Sequence, residues 1–102
     1  MAFKIEIHDN DNLYVKLIGD LDINNVDSFK KEVLDKYKNL NKDIIFCLKD
    51  LDYIDSTGLG ATMTIYKEVN SKGNKIIIKN AKKNVKKLFS ITELDQLFIM
   101  ED

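Results

Sequence analysis

Residues 3–18 form two alternating apolar and polar segments joined by a short polar turn. In the first segment the apolar residues are Phe3, Ile5 and Ile7; the turn is 9–12, and the second alternating run covers 13–18. Alternation with a period of two is typical of strands that bury one face. The chain is therefore predicted to open with a β-hairpin, which argues against folds that begin with a parallel strand–helix unit.

Beyond the hairpin, segments with helical periodicity alternate with short apolar runs. The predicted helices cover roughly residues 25–39, with Asn24 or Asn25 as the N-cap, then 58–71 and 82–90. The further strands are predicted over 43–49, 75–79 and 97–99. The unbroken apolar run 44–48 suits a central strand covered on both faces. The order ββαβαβα(β) predicts one α/β domain over residues 1–102, with a mixed sheet of four to five strands and helices packed on it.

The composition limits the classes of function. The chain has 102 residues and a net charge of −1, with 16 basic residues against 17 acidic ones, so it lacks the strong positive charge of a general nucleic-acid binder. Cys47 is the only cysteine and lies in an apolar run, which predicts a buried side chain. No segment approaches the ~20 apolar residues of a membrane helix, and no signal-like start precedes the first strand. We expect a cytoplasmic monomer without a nucleic-acid or membrane partner.

Catalytic and cofactor roles find little support in the residues. A serine nucleophile needs a neighbouring base, and His8, the only histidine, is expected to be exposed on the first strand. A nucleotide-binding domain remains a lesser alternative, because every basic residue is lysine and no Gly-x4-Gly-Lys-Ser/Thr loop is present. The lysines around the third helix are expected to form its solvated face. Five loop aspartates leave an oxygen-ligand metal site as a minor alternative, although no cofactor is expected: Asp20, Asp22, Asp50, Asp52 and Asp55.

The segment 55–60, Asp-Ser-Thr-Gly-Leu-Gly, joins a strand to the second helix. Glycine costs about 1 kcal/mol relative to alanine inside a helix, so two glycines in one turn require a reason. In a structural interpretation, Ser56 caps the helix while Gly58 and Gly60 permit close packing. In a functional interpretation, the bare helix N-terminus lets another protein reach the Ser56 hydroxyl and tolerates a phosphate there. The residues alone leave both interpretations open.

At this segment the sequence resembles the STAS-domain family, and in particular its anti-sigma factor antagonists, also called anti-anti-sigma factors. The resemblance covers essentially the whole chain and rests on three motifs, at residues 19–22, 53–60 and 85–89. The middle motif is similar to the family's phosphorylation loop and is the most specific. The departures are small: Asn80-Ala81 stands where many members have a proline, and Lys87 stands where arginine is common.

The resemblance implies a partner-switching regulator rather than an enzyme. Such a protein, when unphosphorylated, binds an anti-sigma factor that is also a serine kinase, and so releases the sigma factor. Ser56 matches the phosphoacceptor, whose phosphorylation ends binding and whose dephosphorylation requires a separate serine phosphatase. The implied partner contacts are Asp20, Asp22, Asn24, Asn25, Asp55, Ser56, Thr57, Gly58 and Leu59. A STAS subunit of another assembly, such as a stress-signalling scaffold or a lipid-transport complex, remains an alternative.

A phosphate on Ser56 is expected to meet negative neighbours. Phosphoserine adds about −1.5 to −2 charges at pH 7, whereas a helix N-terminus offers only a fraction of a positive charge. Asp50, Asp52 and Asp55 precede or flank the serine, and the aspartates of motif 19–22 join them if both loops leave the same sheet edge. In that motif Leu21 and the following Ile23 are expected to point inward, leaving Asp22 in water.

Overall fold

The computed structural model describes residues 2–102. The strands are β1 (Lys4–Asp9), β2 (Leu13–Leu21), β3 (Ile44–Ile54), β4 (Ile76–Lys79) and β5 (Ile99–Glu101). The helices are α1 (Val26–Tyr37), α2 (Ser56–Ser71) and α3 (Lys83–Ile91), and a short 3₁₀ helix, Leu94–Gln96, precedes β5. This order confirms the predicted α/β domain and its opening hairpin. No helix in residues 2–102 combines the length and the apolar character needed to cross a bilayer.

The five strands lie side by side in chain order and form a mixed sheet. The β1–β2 pair is antiparallel, and the pairs β2–β3, β3–β4 and β4–β5 are parallel. Parallel neighbours require a crossover connection, and the three helices provide these crossovers. Because the parallel strands share one direction, β2 and β3 both end at one edge of the sheet, and this arrangement positions the site described below.

The helices cover one face of the sheet. Alternate residues of β2, including Leu13 and Leu17, are buried in one core together with Phe29 of α1, Ile65 of α2 and Phe89 of α3. The residues between them in β2 are only partly buried. The expectation that the central strand is covered on both faces is therefore wrong.

The open face is shielded by its own side chains. Ile45 of β3 is half-buried there, between Tyr14 and Ile77 on the neighbouring strands. Cys47 is buried as predicted, with 5% exposure, but between the register partners Lys16 and Lys79 rather than in the main core. Aliphatic lysine stems can cover such a side chain while their ammonium groups stay in water. The apolar run 44–48 of β3 is therefore shielded on this face without a second layer of helices.

Both strands that lead to the site are longer than predicted. Residues 19–21 belong to β2 and residues 50–54 belong to β3, although polar side chains interrupt the apolar pattern in both segments. The β2–β3 pairing shifts register twice, the second time between Gly19 and Asp20. Gly19 has φ +93°, and a Cβ atom there would lie 2.2 Å from the carbonyl oxygen of Ala2. This glycine lets the strand bend and lets the start of the chain pass close to it.

The C-terminal segment also differs from the prediction. The last strand is 99–101 rather than 97–99, since the 3₁₀ helix occupies the preceding residues and Phe98 packs into the core. Phe98 contacts the rings of Tyr66 and Phe89, with centroid separations of 5.5 and 5.7 Å. These aromatic contacts attach the end of the chain to α2 and α3, the two helices that line the site.

Candidate functional site

The loop after β2 and the start of α2 lie next to each other. Leu21 and Ile54 are register partners at the ends of β2 and β3, and the N–H of Asp55 donates to the carbonyl oxygen of Leu21 at 3.2 Å. We call residues 20–25 and 55–59 together the carboxyl edge. Both loops leave the same sheet edge, which meets the condition under which the aspartates of motif 19–22 lie near the start of α2. All the residues that the family resemblance implied as contacts lie here: Asp20, Asp22, Asn24, Asn25, Asp55, Ser56, Thr57, Gly58 and Leu59.

The Asp55 carboxylate joins the two parts of the carboxyl edge. Its Oδ1 atom accepts hydrogen bonds from the Gly58 N–H at 3.0 Å and from the Thr57 hydroxyl at 2.6 Å. Its Oδ2 atom accepts from the N–H of Ile23, in the other loop, at 3.1 Å. Asp55 is therefore the N-cap of α2, and the structural interpretation in which Ser56 caps this helix is wrong. The extended backbone of Asp55 turns its side chain back to the third helical N–H, as N-cap residues do.

These hydrogen bonds favour the ionised form of Asp55. The hydrogen bond from the Thr57 hydroxyl, with further donation from the N–H groups of Gly58, Ile23 and Thr57, holds the pKa of Asp55 below its ordinary value, although partial desolvation opposes the shift. A carboxylate whose pKa is lower in the folded state than in the unfolded state stabilises the fold above the unfolded pKa. That contribution is lost as the pH falls through the folded pKa.

The loop between β2 and α1 is held by its own polar side chains. Asp22 accepts from the N–H of Asn24 at 2.9 Å. Asn25 accepts from the N–H of Asp22 at 3.0 Å and donates to the carbonyl oxygen of Asp20 at 2.9 Å. Asn25 occupies the N-cap position of α1, as predicted, but its side chain fixes the loop instead of bonding the helix N–H groups.

This loop displays an apolar residue to solvent. Leu21 is fully buried as expected, but Ile23 is 66% exposed, so the expectation that it points inward is wrong. The Ile23 N–H is bound to Asp55, and the turn that Asp22 and Asn24 form directs the Ile23 side chain away from the core. A period-two pattern does not extend past the end of a strand, which explains the error.

The two adjacent hydroxyls, Ser56 and Thr57, have different surroundings. Thr57 donates to Asp55, whereas the Ser56 side chain is exposed and makes no hydrogen bond with any of residues 2–102. Ser56 borders a groove of about 440 Å³ whose wall includes Tyr53, Leu59 and Leu88. The contribution of α3 to this groove was missed, because Leu88 has the spacing of a core residue. No sequence signal distinguishes its half-buried position from a buried one.

Two of the aspartates expected near Ser56 are neutralised by lysines. Asp50 forms an ion pair with Lys16 at 3.1 Å, and Asp52 pairs with Lys82. The negative charge on the two segments that flank the serine therefore includes Asp55 and Asp22, whose carboxylates, within residues 2–102, accept hydrogen bonds from N–H and hydroxyl groups rather than from lysines. Within residues 2–102, no three histidine, cysteine, aspartate or glutamate side chains are grouped closely enough to hold a metal ion.

The two glycines in the first turns of α2 serve different purposes. A Cβ atom on Gly58 would lie 2.7 Å from Ile54 Cγ1 and 3.0 Å from Leu21 Cγ, so this glycine permits close packing of α2 on the strand ends. A Cβ atom on Gly60 would meet nothing within 4 Å. The packing interpretation is therefore confirmed for Gly58 and wrong for Gly60, which leaves bare helix backbone facing solvent.

Substituting each glycine by alanine should change stability in opposite directions. Gly60→Ala should raise the free energy of unfolding by about 0.5–1 kcal/mol, since alanine favours the helix and has free space. Gly58→Ala should lower it by about 1–2 kcal/mol, because overpacking exceeds the gain in helix propensity. Urea unfolding of the two variants measures both changes. If both substitutions stabilise the protein, the side chains of Leu21 and Ile54 can shift to accommodate the new Cβ atom, and the prediction for Gly58→Ala is wrong.

The chain is similar to known proteins over nearly its whole length. The STAS domain family model matches residues 2–102. The anti-sigma-B factor antagonist of Bacillus subtilis (strain 168) is 28% identical over 98 residues, which cover 95% of this chain and 89% of the relative. The crystal structure of protein TM1081 of Thermotoga maritima superposes with a TM-score of 0.81 at 33% identity, covering 98% of this chain and 86% of that one.

The same fold occurs in a more distant protein. The unphosphorylated anti-sigma factor antagonist SpoIIAA superposes with a TM-score of 0.74 at 21% identity, covering 99% of this chain and 88% of that one. At this identity the similarity concerns the fold alone. SpoIIAA has also been solved in a phosphorylated form. The match of the family model over the entire described part of the sequence shows that the chain belongs to the STAS domain family.

Proposed function

We propose that this chain is an anti-sigma factor antagonist whose binding is switched off by phosphorylation of Ser56. The observation that carries the proposal is the state of that hydroxyl. Ser56 is exposed and free of hydrogen bonds to residues 2–102, at the start of α2 and beside a fixed acidic loop. Its hydroxyl is therefore accessible to a kinase, and its modification breaks no existing side-chain hydrogen bond within residues 2–102.

The relatives support the partner class. A B. subtilis relative that aligns over 95% of this chain is named as an anti-sigma-B factor antagonist. We infer that the carboxyl edge of this chain contacts an anti-sigma factor that is also a serine kinase, and that the contact releases a sigma factor. We therefore expect the interaction in the cytoplasm, where sigma factors act. A separate serine phosphatase would restore the binding-competent form.

Electrostatics favours an off-switch over a rearrangement around the phosphate. The first turn of α2 contains no basic residue, and Lys82, in the loop before α3, is paired with Asp52. Asp55 already occupies the Gly58 N–H that an anion at this helix end would use. A phosphate carrying about −1.5 to −2 charges would therefore add to the charge of Asp55 and project into the binding face. Repulsion and bulk at that position would weaken the complex.

The chain itself contributes an acceptor hydroxyl and a docking surface, not catalysis. Activation of a serine requires a base within hydrogen-bond reach, and His8, the only histidine, lies in β1 on the far side of β2 from β3 and α2. The Asp55 carboxylate bonds Thr57 and two backbone N–H groups rather than Ser56. The base and the nucleotide for phosphoryl transfer would therefore come from the kinase partner.

Phosphate should be found on Ser56 and not on Thr57. We expect incubation with the cognate kinase and ATP to add one phosphate, which peptide mass mapping places at Ser56, since the Thr57 hydroxyl is engaged by Asp55. Ser56→Ala should abolish incorporation and Thr57→Val should retain it. Ser56→Ala should also bind the kinase as wild type does, whereas Ser56→Asp should bind at least tenfold more weakly. Stoichiometric phosphate on Thr57, or equal affinities of the Ala and Asp variants, would contradict the proposal.

Asp22 should contribute to partner binding without contributing much to stability. Asp22 is half-buried at the surface, and Asp22→Lys removes the hydrogen bond that its carboxylate accepts from the Asn24 N–H. Substitutions at surface positions usually change stability by about 0.5 kcal/mol or less. Loss of an interface charge, however, can cost ~2 kcal/mol or more. We expect Asp22→Lys to melt near the wild-type temperature and to bind the kinase at least tenfold more weakly in calorimetry.

The control for Asp22 is Asp11→Lys, which makes the same charge change in the β1–β2 turn at the opposite end of β2. Asp11 is exposed, so its substitution should leave both melting and binding unchanged. If both variants weaken kinase binding equally, the effect of Asp22→Lys comes from the net charge of the protein and not from a contact at Asp22. A fall in the melting temperature of more than ~8 °C for Asp22→Lys would make Asp22 a structural residue instead.

A further inference from the structure

Three exposed apolar side chains lie on the elements that form the carboxyl edge and the groove beside Ser56. Within residues 2–102, five large hydrophobic side chains are at least about one-third exposed: Ile23, Tyr53, Ile91, Leu97 and Ile99. The Ile23 N–H donates a hydrogen bond to the Asp55 carboxylate, and Tyr53 lines the groove beside Ser56. Ile91 is 65% exposed and lies in the last turn of α3, between the groove residues Leu88 and Thr92. The other two lie near β5, away from the carboxyl edge.

Ile23 is held in its exposed position. Its backbone N–H donates a hydrogen bond to the Asp55 carboxylate at 3.1 Å. On either side of it, the Asn24 N–H donates to the Asp22 carboxylate at 2.9 Å. An ordered loop that displays a β-branched apolar residue loses little conformational freedom when a partner covers that residue. Burial of such a side chain is a main source of affinity at interface centres.

We propose that Ile23 and Ile91 are the apolar anchors of the interface, and that the anti-sigma partner covers them with apolar side chains while inserting one into the groove between α2 and α3. This inference rests on the proposed function and deepens it. The acidic loop would face basic groups of the partner, and the anchors would add apolar area that the partner buries. The groove is continuous with the carboxyl edge, since Ser56 and Leu59 belong to both.

The anchors also give phosphorylation a second effect. Ser56 borders the groove, so a phosphate there would be covered by the same apolar side chains of the partner. Burying a dianion without a cation or sufficient donors is strongly unfavourable. The phosphate thus opposes binding by desolvation as well as by repulsion, and the desolvation part persists at high salt.

The test compares Ile23→Ser and Ile91→Ser with the matched control Ile99→Ser, which removes an exposed isoleucine on β5. The probe is the purified anti-sigma factor of the source organism that binds the wild-type chain in calorimetry, at 0.1 and 0.5 M NaCl. We expect each anchor variant to bind at least tenfold more weakly, a loss of about 1.4 kcal/mol. The fold-change should be the same at both salt concentrations, since screening acts on charges. Ile99→Ser should bind as wild type does.

The outcomes separate this inference from the proposed function. Suppose that wild type binds and Ser56→Asp binds weakly, but the anchor variants bind as wild type does. The proposal that Ile23 and Ile91 are anchors is then wrong, whereas the proposed phosphorylation switch at Ser56 is supported. Equal weakening by Ile99→Ser would also overturn the anchors. If no anti-sigma factor of the organism binds the wild-type chain, both proposals fall. Thermal melting of each variant, expected within a few degrees of wild type because the side chains are exposed, ensures that folded proteins are compared.

Discussion

The carboxylate of Asp55 is the interaction on which the candidate site depends. It caps α2 through the Gly58 N–H, engages the Thr57 hydroxyl and binds the Ile23 N–H of the other loop. Without it, the loop after β2 and the start of α2 would be connected mainly through the strand ends. One side chain thereby sets the helix start, leaves Ser56 as the free hydroxyl of the pair, and fixes the loop that carries Asp22 and Ile23. Its lowered pKa follows from the same hydrogen bonds.

The residues next to Asp55 and Ser56 have separate roles in the site. Gly58 lets α2 approach Leu21 and Ile54, and Gly60 leaves open backbone on the solvent side. Thr57 is committed to Asp55, so the two adjacent hydroxyls are chemically distinct. A serine that is exposed, unbonded and without a base is suited to be modified by another protein rather than to attack a substrate.

Much of the fold followed from periodicity, because alternation and helical spacing report burial directly. The hairpin, the order of elements and the mixed sheet could all be predicted, whereas the shared edge of the two loops was only a condition. The errors arose where long-range contacts decide. The structural interpretation gave the helix cap to Ser56, whereas Asp55 is the cap, because its carboxylate accepts hydrogen bonds from both loops. The inward direction assigned to Ile23 assumed that the strand pattern continues into the loop.

Other features of the site could not be read from the sequence. The ion pairs of Asp50 and Asp52 join residues distant in the chain, so the two aspartates looked like part of the acidic loop. The uncovered sheet face could not be predicted, because the outward side chains of the apolar run 44–48 are shielded by their neighbours rather than by helices. The groove between α2 and α3 depends on the docking of α3, and Leu88 has core spacing although it is only half-buried. The family resemblance pointed to Ser56, but the exposure and free hydroxyl of this residue required the structure.

The central claim is that one carboxylate joins the two loops, and an NMR pH titration of the unmodified chain tests it most directly. The amide proton shifts of Gly58 and Ile23 should move together as Asp55 is protonated, with one midpoint below the ordinary aspartate pKa. Both transitions should vanish in Asp55→Asn, whose side chain does not titrate. An Ile23 amide that does not follow the Gly58 transition, or one that titrates unchanged in the variant, would contradict the account.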